Sequence, residues 1–190
     1  MVAGAPGSGT TFVRAQRYIG ERVTEAIGRV DPDAIDRAVE ILGRAPQVFV
    51  YGAGRSGIIG RAFAMRLVQT GLRAYVIGES VTPIVTPGDA VFILSGQGES
   101  SSSVQTANIV RREGAQLIVL TGHPASKLAH TASLLLFIEF SEDADRPRFA
   151  PLGTLFESAS LRLTDAIVAE LLAVRGETEA SMRRRHAIMV

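Results

Sequence analysis

Val48-Phe-Val-Tyr-Gly-Ala-Gly-Arg-Ser-Gly57 decides how the rest of this chain is read. Four continuously apolar residues run into a glycine cluster that opens a helix-forming stretch. An apolar run without alternation suits a strand covered on both faces, and such strands belong to parallel sheets flanked by helices. The same texture recurs in Ala74-Tyr-Val-Ile77, Ala90-Val-Phe-Ile-Leu94, Leu117-Ile-Val-Leu120 and Leu134-Leu-Leu-Phe-Ile138. Helical stretches fit between most of these runs, at about 56 to 70, 101 to 113 and 124 to 131. Repeated βα units imply right-handed crossovers and a central parallel sheet of about five strands, an α/β fold layered helix, sheet, helix. The proline-marked segment 81–89 is too short for a crossover helix.

Working outward, Ile19, Val23, Ala26, Ile27 and Val30 recur at helical spacing. Asp31-Pro32-Asp33 then supplies a cap, a proline for the first helical position and an acid for the first turn. Ile35, Ala38, Val39 and Leu42 form one face of the helix that follows, which stops at Gly43 ahead of Pro46. On the other flank, the polar stretch 141–148 reads as a loop. It leads into the longest helix, with Leu155, Ala159, Leu163, Ile167 and Leu171 on one side and an end near Arg175-Gly176. Residues 1–11 read as a flexible leader and 12–190 as a single domain with a C-terminal helical tail.

Composition narrows the function classes. A chain of 190 residues that is 46% hydrophobic can bury one substantial core. Its 20 basic and 19 acidic residues give a formal charge of +1, so it lacks the positive field that gathers nucleic acid or anionic membrane. Cysteine is absent, which excludes disulfides, thiolate catalysis and thiolate metal sites. Only Lys127 is available for Schiff-base chemistry. No apolar run reaches the roughly 20 residues needed to span a bilayer, and the expected location is the cytoplasm.

Ligands of open parallel sheets bind beyond the carboxyl ends of the strands. Two glycine-rich junctions stand at such ends. In the first, Gly52, Gly54 and Gly57 satisfy the dinucleotide spacing GxGxxG, with Glu79 as the nearest acid for a ribose, although two helices precede the supposed first strand. A phosphate or other anion cradle, or a purely structural turn, fits the same residues. The second junction is Ser95-Gly-Gln-Gly-Glu-Ser100, followed by Ser101, Ser102 and Ser103. Hydroxyls and a glycine-exposed helix N-terminus can surround a phosphate with O–H and N–H donors, whereas the bland reading is a serine N-cap. Neither loop carries the lysine of a Walker A site.

These junctions, together with Arg61-Ala-Phe-Ala-Met-Arg-Leu67, Tyr75-Val-Ile-Gly-Glu-Ser80, Thr82-Pro83, Gly88-Asp89, Pro151-Leu-Gly-Thr-Leu-Phe-Glu157, Met182 and Arg185-His-Ala187, resemble the ordered blocks of 6-phospho-3-hexuloisomerases in the sugar isomerase (SIS) family. The likeness spans about residues 15 to 187. It implies an SIS-type sandwich, conversion of 3-hexulose 6-phosphate to fructose 6-phosphate in formaldehyde fixation by the ribulose monophosphate pathway, no metal or nicotinamide, and self-association as a dimer or tetramer. By resemblance, Gly54, Ser56, Ser95, Gln97 and Ser100 line the sugar-phosphate site. Gln97 departs from the family's SxSGxT pattern, and the Ala187-Ile-Met-Val190 ending departs from its usual HANLE.

An enediol route needs a group to move the proton, and a carboxylate or imidazole can do so. Glu157 is the first candidate and His186 its partner for oxygen protonation. Arg55 would bind phosphate or enediolate charge, and Glu79 would serve as a second acid-base group or orient Arg55. His123 and His130 are weaker candidates. Glu157 opens the long helix while His186 lies beyond its far end, so His186 is expected to reach Glu157 of a neighbouring subunit.

Overall fold

The computed structural model describes residues 8–188. Helices α1 (Ser8–Gly28) and α2 (Pro32–Arg44) precede β1 (Val48–Gly52), and α3 (Arg55–Gln69) leads to β2 (Ala74–Val76). Then come β3 (Ala90–Leu94), α4 (Ser101–Arg112), β4 (Gln116–Thr121), α5 (Lys127–Thr131) and β5 (Leu134–Phe137). The chain closes with α6 (Arg146–Phe149), α7 (Thr154–Arg175) and α8 (Glu179–Arg184). The strands pair in parallel in the order β2-β1-β3-β4-β5. Among the described residues, no helix is long and apolar enough to cross a membrane.

Alternation along each strand sorts its side chains into two cores. Val48, Val50, Phe92, Leu94, Ile118 and Leu120 face one core with Phe63 and Leu67 of α3 and Leu163 and Ile167 of α7. Phe49, Val91, Ile93, Leu117 and Val119 face the other, with Ala107 and Val110 of α4 and Leu128 of α5. A three-layer α/β sandwich follows, because both faces of an apolar sheet must be covered. The long helix buries the stripe of Leu155, Ala159, Leu163, Ile167 and Leu171. Each fully buried Leu or Ile there contributes about 1.5–3 kcal/mol over an exposed one. Gly176, at φ 64°, ends the helix in the left-handed conformation that glycine adopts without strain.

Local chemistry sets most boundaries. Asp31 accepts the Asp33 N–H at 3.0 Å and Pro32 starts α2. The helix expected from 124 begins only at Lys127, because Ser126 is its N-cap and accepts the Ala129 N–H at 3.3 Å. Residues 1–7 of the expected leader lie outside the described residues, whereas 8–11 are already part of α1. The polar stretch 141–148 includes the start of α6 and is tied down rather than free. Asp143 accepts the Tyr18 hydroxyl at 2.8 Å and an Arg22 N–H at 2.5 Å, and takes backbone N–H groups from Asp145 and Arg146.

Beyond Gly176 a reciprocal capping box between Thr178 and Ser181 starts α8. Arg185 then donates to both carboxylate oxygens of Glu177 at 2.8 and 2.9 Å and to the Gln69 carbonyl at 3.2 Å. This clamp ties the C-terminal segment to the far end of α3. Hydrogen bonds from Arg185 and Ser181 lower the Glu177 carboxyl from 4.5 to about 2. A depressed carboxylate stabilises the fold fully above its unfolded value and loses that contribution as pH falls toward its folded one. Protection of the amides in α8 against hydrogen exchange, taken relative to the intrinsic rate at each pH, should therefore be high at pH 7 and fall between pH 4.5 and about 2. Glu177→Gln should exchange faster at pH 7 already; equal protection in wild type and variant would show that the clamp does not hold the segment.

Candidate functional site

From β1 the chain runs through α3 to β2 on one side, then returns across β1 to β3 on the other. Helix α3 packs in one core and α4 in the opposite one. The loops leaving β1 and β3 consequently diverge to opposite faces, and a crevice opens between the carboxyl ends of these neighbours, where open α/β sheets bind ligands. Both glycine junctions border it.

The first junction turns from Gly52 directly into α3. A Cβ on Gly57 would sit 2.4 Å from the Gly52 carbonyl oxygen, so only glycine lets the helix start so close to the strand end. Gly54 precedes the helix at φ 57°, and its carbonyl accepts from Gly57 N–H at 3.0 Å. Arg55 and Ser56 are thereby the first two residues of α3. In the second junction Ser95 is buried and its Oγ accepts the Gly98 N–H at 3.2 Å, which leaves the serine proton free to donate elsewhere. Gly98, at φ 67°, lies so close to Ser126 that a Cβ would fall 2.0 Å from the Ser126 Oγ. Gln97 is exposed at the tip, and Ser100 stands at the N-cap of α4 with its Oγ turned to Ser102 Oγ, 3.0 Å away, instead of capping the backbone. The first N–H groups of an α-helix have no intrahelical acceptor, so α3 and α4 both present donors to the crevice.

Glu157 reaches this place from α7. Its backbone N–H bonds the Gly153 carbonyl at 2.9 Å, and its side chain folds back over Gly153. An Arg55 guanidinium nitrogen lies 2.5 Å from Glu157 Oε2, with the carboxylate side chain 14% exposed and the arginine 72% exposed. Oε2 is buried and its contact with Arg55 is ionic rather than a well-angled hydrogen bond. The preceding Phe156 lays its ring against Gly96 of the second junction. Adjacent residues of one helix therefore touch both loops. The sequence pattern does not single out Phe156, for which an aromatic beside a candidate base and an unsubstituted Gly96 are the local signals.

Other expected residues stand elsewhere. Glu79 pairs with Arg61 at 3.0 Å, both partners well exposed, so Arg55 is oriented by Glu157 and not by Glu79. The acid that a dinucleotide ribose would use is thus held by Arg61. His186 is exposed, its Nδ1 2.8 Å from the Ala187 carbonyl oxygen, and follows Arg185 at the C-terminal end of α3. Helix α3 has 15 residues and is about 22 Å long at 1.5 Å per residue, so the two ends of one helix separate His186 from Arg55 within a chain. Residues 189–190 of the apolar ending lie outside the described residues. His130 donates from Nδ1 to the carbonyl oxygen of Ser126, the N-cap of α5, 2.7 Å away, and is not at the crevice mouth. His123 is there: its Nδ1 lies 3.0 Å from the Gly96 carbonyl oxygen. The signal for it was a Gly-His-Pro turn directly after a strand. A surface depression of about 560 Å³ runs along α4 past Glu99, Ser101 and Lys127, and neither Arg55 nor Glu157 lines it.

The sequence profile of the SIS domain matches residues 41–175. The chain is 34% identical over 182 residues to an Archaeoglobus fulgidus protein, covering 94% of this chain and 100% of that one. It is 32% identical over 175 residues to the 3-hexulose-6-phosphate isomerase of Methylomonas aminofaciens, covering 90% of this chain and 96% of the enzyme. Among solved structures, it superposes with TM-score 0.84 and 25% identity on a Methanococcus jannaschii protein whose crystal structure infers a 3-hexulose-6-phosphate isomerase function, covering 93% of this chain and 99% of that one. With its parallel sheet, its two glycine loops at the switch point and a match across most of its length, the chain belongs to the SIS-domain family of phosphosugar isomerases.

Proposed function

We propose that this isomerase converts 3-hexulose 6-phosphate to fructose 6-phosphate through a cis-enediol, as the isomerising step of formaldehyde fixation by the ribulose monophosphate pathway. The observation that carries the reading is the nearly buried Glu157 carboxylate, in contact with Arg55 at a crevice walled by two helix N-termini. The likeness to the Methylomonas aminofaciens enzyme along most of both chains favours this substrate.

The phosphate sits on the second junction, bound by Ser95 and Ser100 hydroxyls, Gln97 and the opening N–H groups of α4, with Gly54 and Ser56 of the first junction closing the other wall. Glu157 removes the proton from C2. The C–H electron pair becomes the C2=C3 double bond, and the C3 carbonyl oxygen takes up charge beside Arg55. Return of a proton to C3, with transfer of the C2 hydroxyl proton to the C3 oxygen, leaves the carbonyl at C2 and a hydroxyl at C3. No atoms are gained or lost, and the route needs neither a metal nor nicotinamide. His186 of a second copy carries protons among the oxygens, which requires the dimer or tetramer in which one subunit's clamped C-terminal segment lies over its neighbour's crevice. Small sugar phosphates are the partners of this site; nucleic acid and membrane are not.

Coupled detection of fructose 6-phosphate from freshly generated 3-hexulose 6-phosphate tests the substrate, with arabinose 5-phosphate and sedoheptulose 7-phosphate as competitors for the assignment. Turnover is expected on the first; turnover only on another would move the protein to a different phosphosugar, and binding without turnover on any would make it a sensor. Glu157→Gln should keep ligand affinity and lower kcat about 10²-fold or more. Glu79→Gln should stay near wild type, and a larger loss there would transfer the role of base. Mixing Glu157→Gln with His186→Ala chains under subunit exchange should restore about a quarter of wild-type activity, since half of random dimers are mixed and each regains one of two sites. Activity at the single-variant floor, with exchange verified by mass, would return His186 to its own chain.

A further inference from the structure

The Gly96 carbonyl oxygen receives three donors from the end of β4: the Gly122 N–H at 3.0 Å, the Thr121 hydroxyl at 3.3 Å and His123 Nδ1 at 3.0 Å. A carbonyl can only accept, so the hydrogen bond requires the proton on Nδ1 and leaves Nε2 of the neutral ring as an acceptor. His123 is itself seated by its backbone N–H, which bonds Thr121 Oγ1 at 3.2 Å.

The consequence lies on the other side of the same peptide. The bond between Gly96 and Gln97 is trans, as every peptide bond described here is, so the Gly96 C=O and the Gln97 N–H point in opposite directions. In the sheet β3 lies between β1 and β4. A carbonyl drawn toward β4 turns the Gln97 N–H toward β1, the side on which the first junction and the crevice lie. Among the described residues, no acceptor takes that N–H. Hydrogen bonds to a carbonyl also polarise its peptide and make the attached N–H a stronger donor. The ring of Phe156 lies beside Gly96, close enough that a Cβ there would fall 3.1 Å from it.

We propose that His123 is a positioning residue of the anion loop: through its Nδ1–H on the Gly96 carbonyl, it fixes the Gly96–Gln97 peptide with the Gln97 N–H aimed at the substrate phosphate. This inference rests on the phosphate reading of the second junction. It assigns to His123 no contact with the reacting carbons, so the residue acts on affinity and not on proton transfer. It also gives a physical role to Gln97's backbone where its side chain departs from the family pattern.

Three variants of the full-length protein test it, with inorganic phosphate and fructose 6-phosphate as probes in a thermal-shift titration and KM and kcat measured alongside. Asn places an amide N–H where Nδ1 stands; Gln places it near Nε2; Ala removes both. His123→Ala and His123→Gln should weaken both probes and raise KM about five- to tenfold, the effect of one lost hydrogen bond, with kcat little changed. His123→Asn should recover most of the affinity. The proposal is overturned if Asn binds no better than Ala, if the whole series binds phosphate like wild type, or if kcat falls while KM and phosphate affinity hold. Should Ala fail to fold, the contrast between Asn and Gln decides alone. A series that follows the prediction in a protein that does not turn over 3-hexulose 6-phosphate would refute the assigned substrate and leave the role of His123 standing.

Discussion

The arrangement depends on one topological constraint: β1 must pair with both β2 and β3, so the chain reverses its direction of travel across the sheet after β2. Right-handed crossovers then force α3 and α4 onto opposite faces. Two helix N-termini cannot pack against each other when they diverge in this way, and their unpaired N–H groups are left pointing into a shared crevice. The anion site proposed above rests on that arrangement. Moving either junction to another strand end would leave a helix dipole without its counterpart.

Charge at that crevice is arranged asymmetrically. Glu157 is largely withdrawn from water while Arg55 reaches in from solvent. Burial of a lone carboxylate is costly, and a cation at contact distance offsets much of the cost. The arginine is the hydrated member of the pair, and the first turn of α7 packs on the second junction through Phe156 beside Gly96. The strained Leu152, at φ 57° and 91% exposed, stands at the entrance to that turn. A non-glycine residue in this conformation costs of order 1 kcal/mol or more and persists only where its surroundings over-determine it; here the neighbours are Pro151 and the Gly153 over which Glu157 folds.

At the other end of the molecule, the clamp of Glu177, Arg185 and the Gln69 carbonyl does two things at once. It supplies a donor to the end of α3, where helical carbonyls lack partners, and it holds α8 against that end. The exposed imidazole of His186 follows directly on this anchored segment, the length of α3 away from Arg55 of its own chain.

The sequence by itself determined the layers. Strands of unbroken apolar residues, helices with one apolar stripe, the cap at Asp31 and the stop at Gly176 depend on neighbours only a few positions away, and periodicity reports such dependence. The glycine junctions were legible for the same reason, since backbone shape at a strand-to-helix turn is a local demand, and the Glu157 region was singled out by resemblance. Contacts between distant segments were not legible. That Arg55 meets Glu157 and Glu79 meets Arg61, that Asp143 ties the 141–148 stretch to α1, and that His123 reaches the Gly96 carbonyl were decided by which strands lie side by side and how their helices stack. Only the tertiary structure settles these, because the pairings span stretches of chain across which no local periodicity carries information, and many side chains of suitable charge compete for each partner until the sheet order brings one of them within reach.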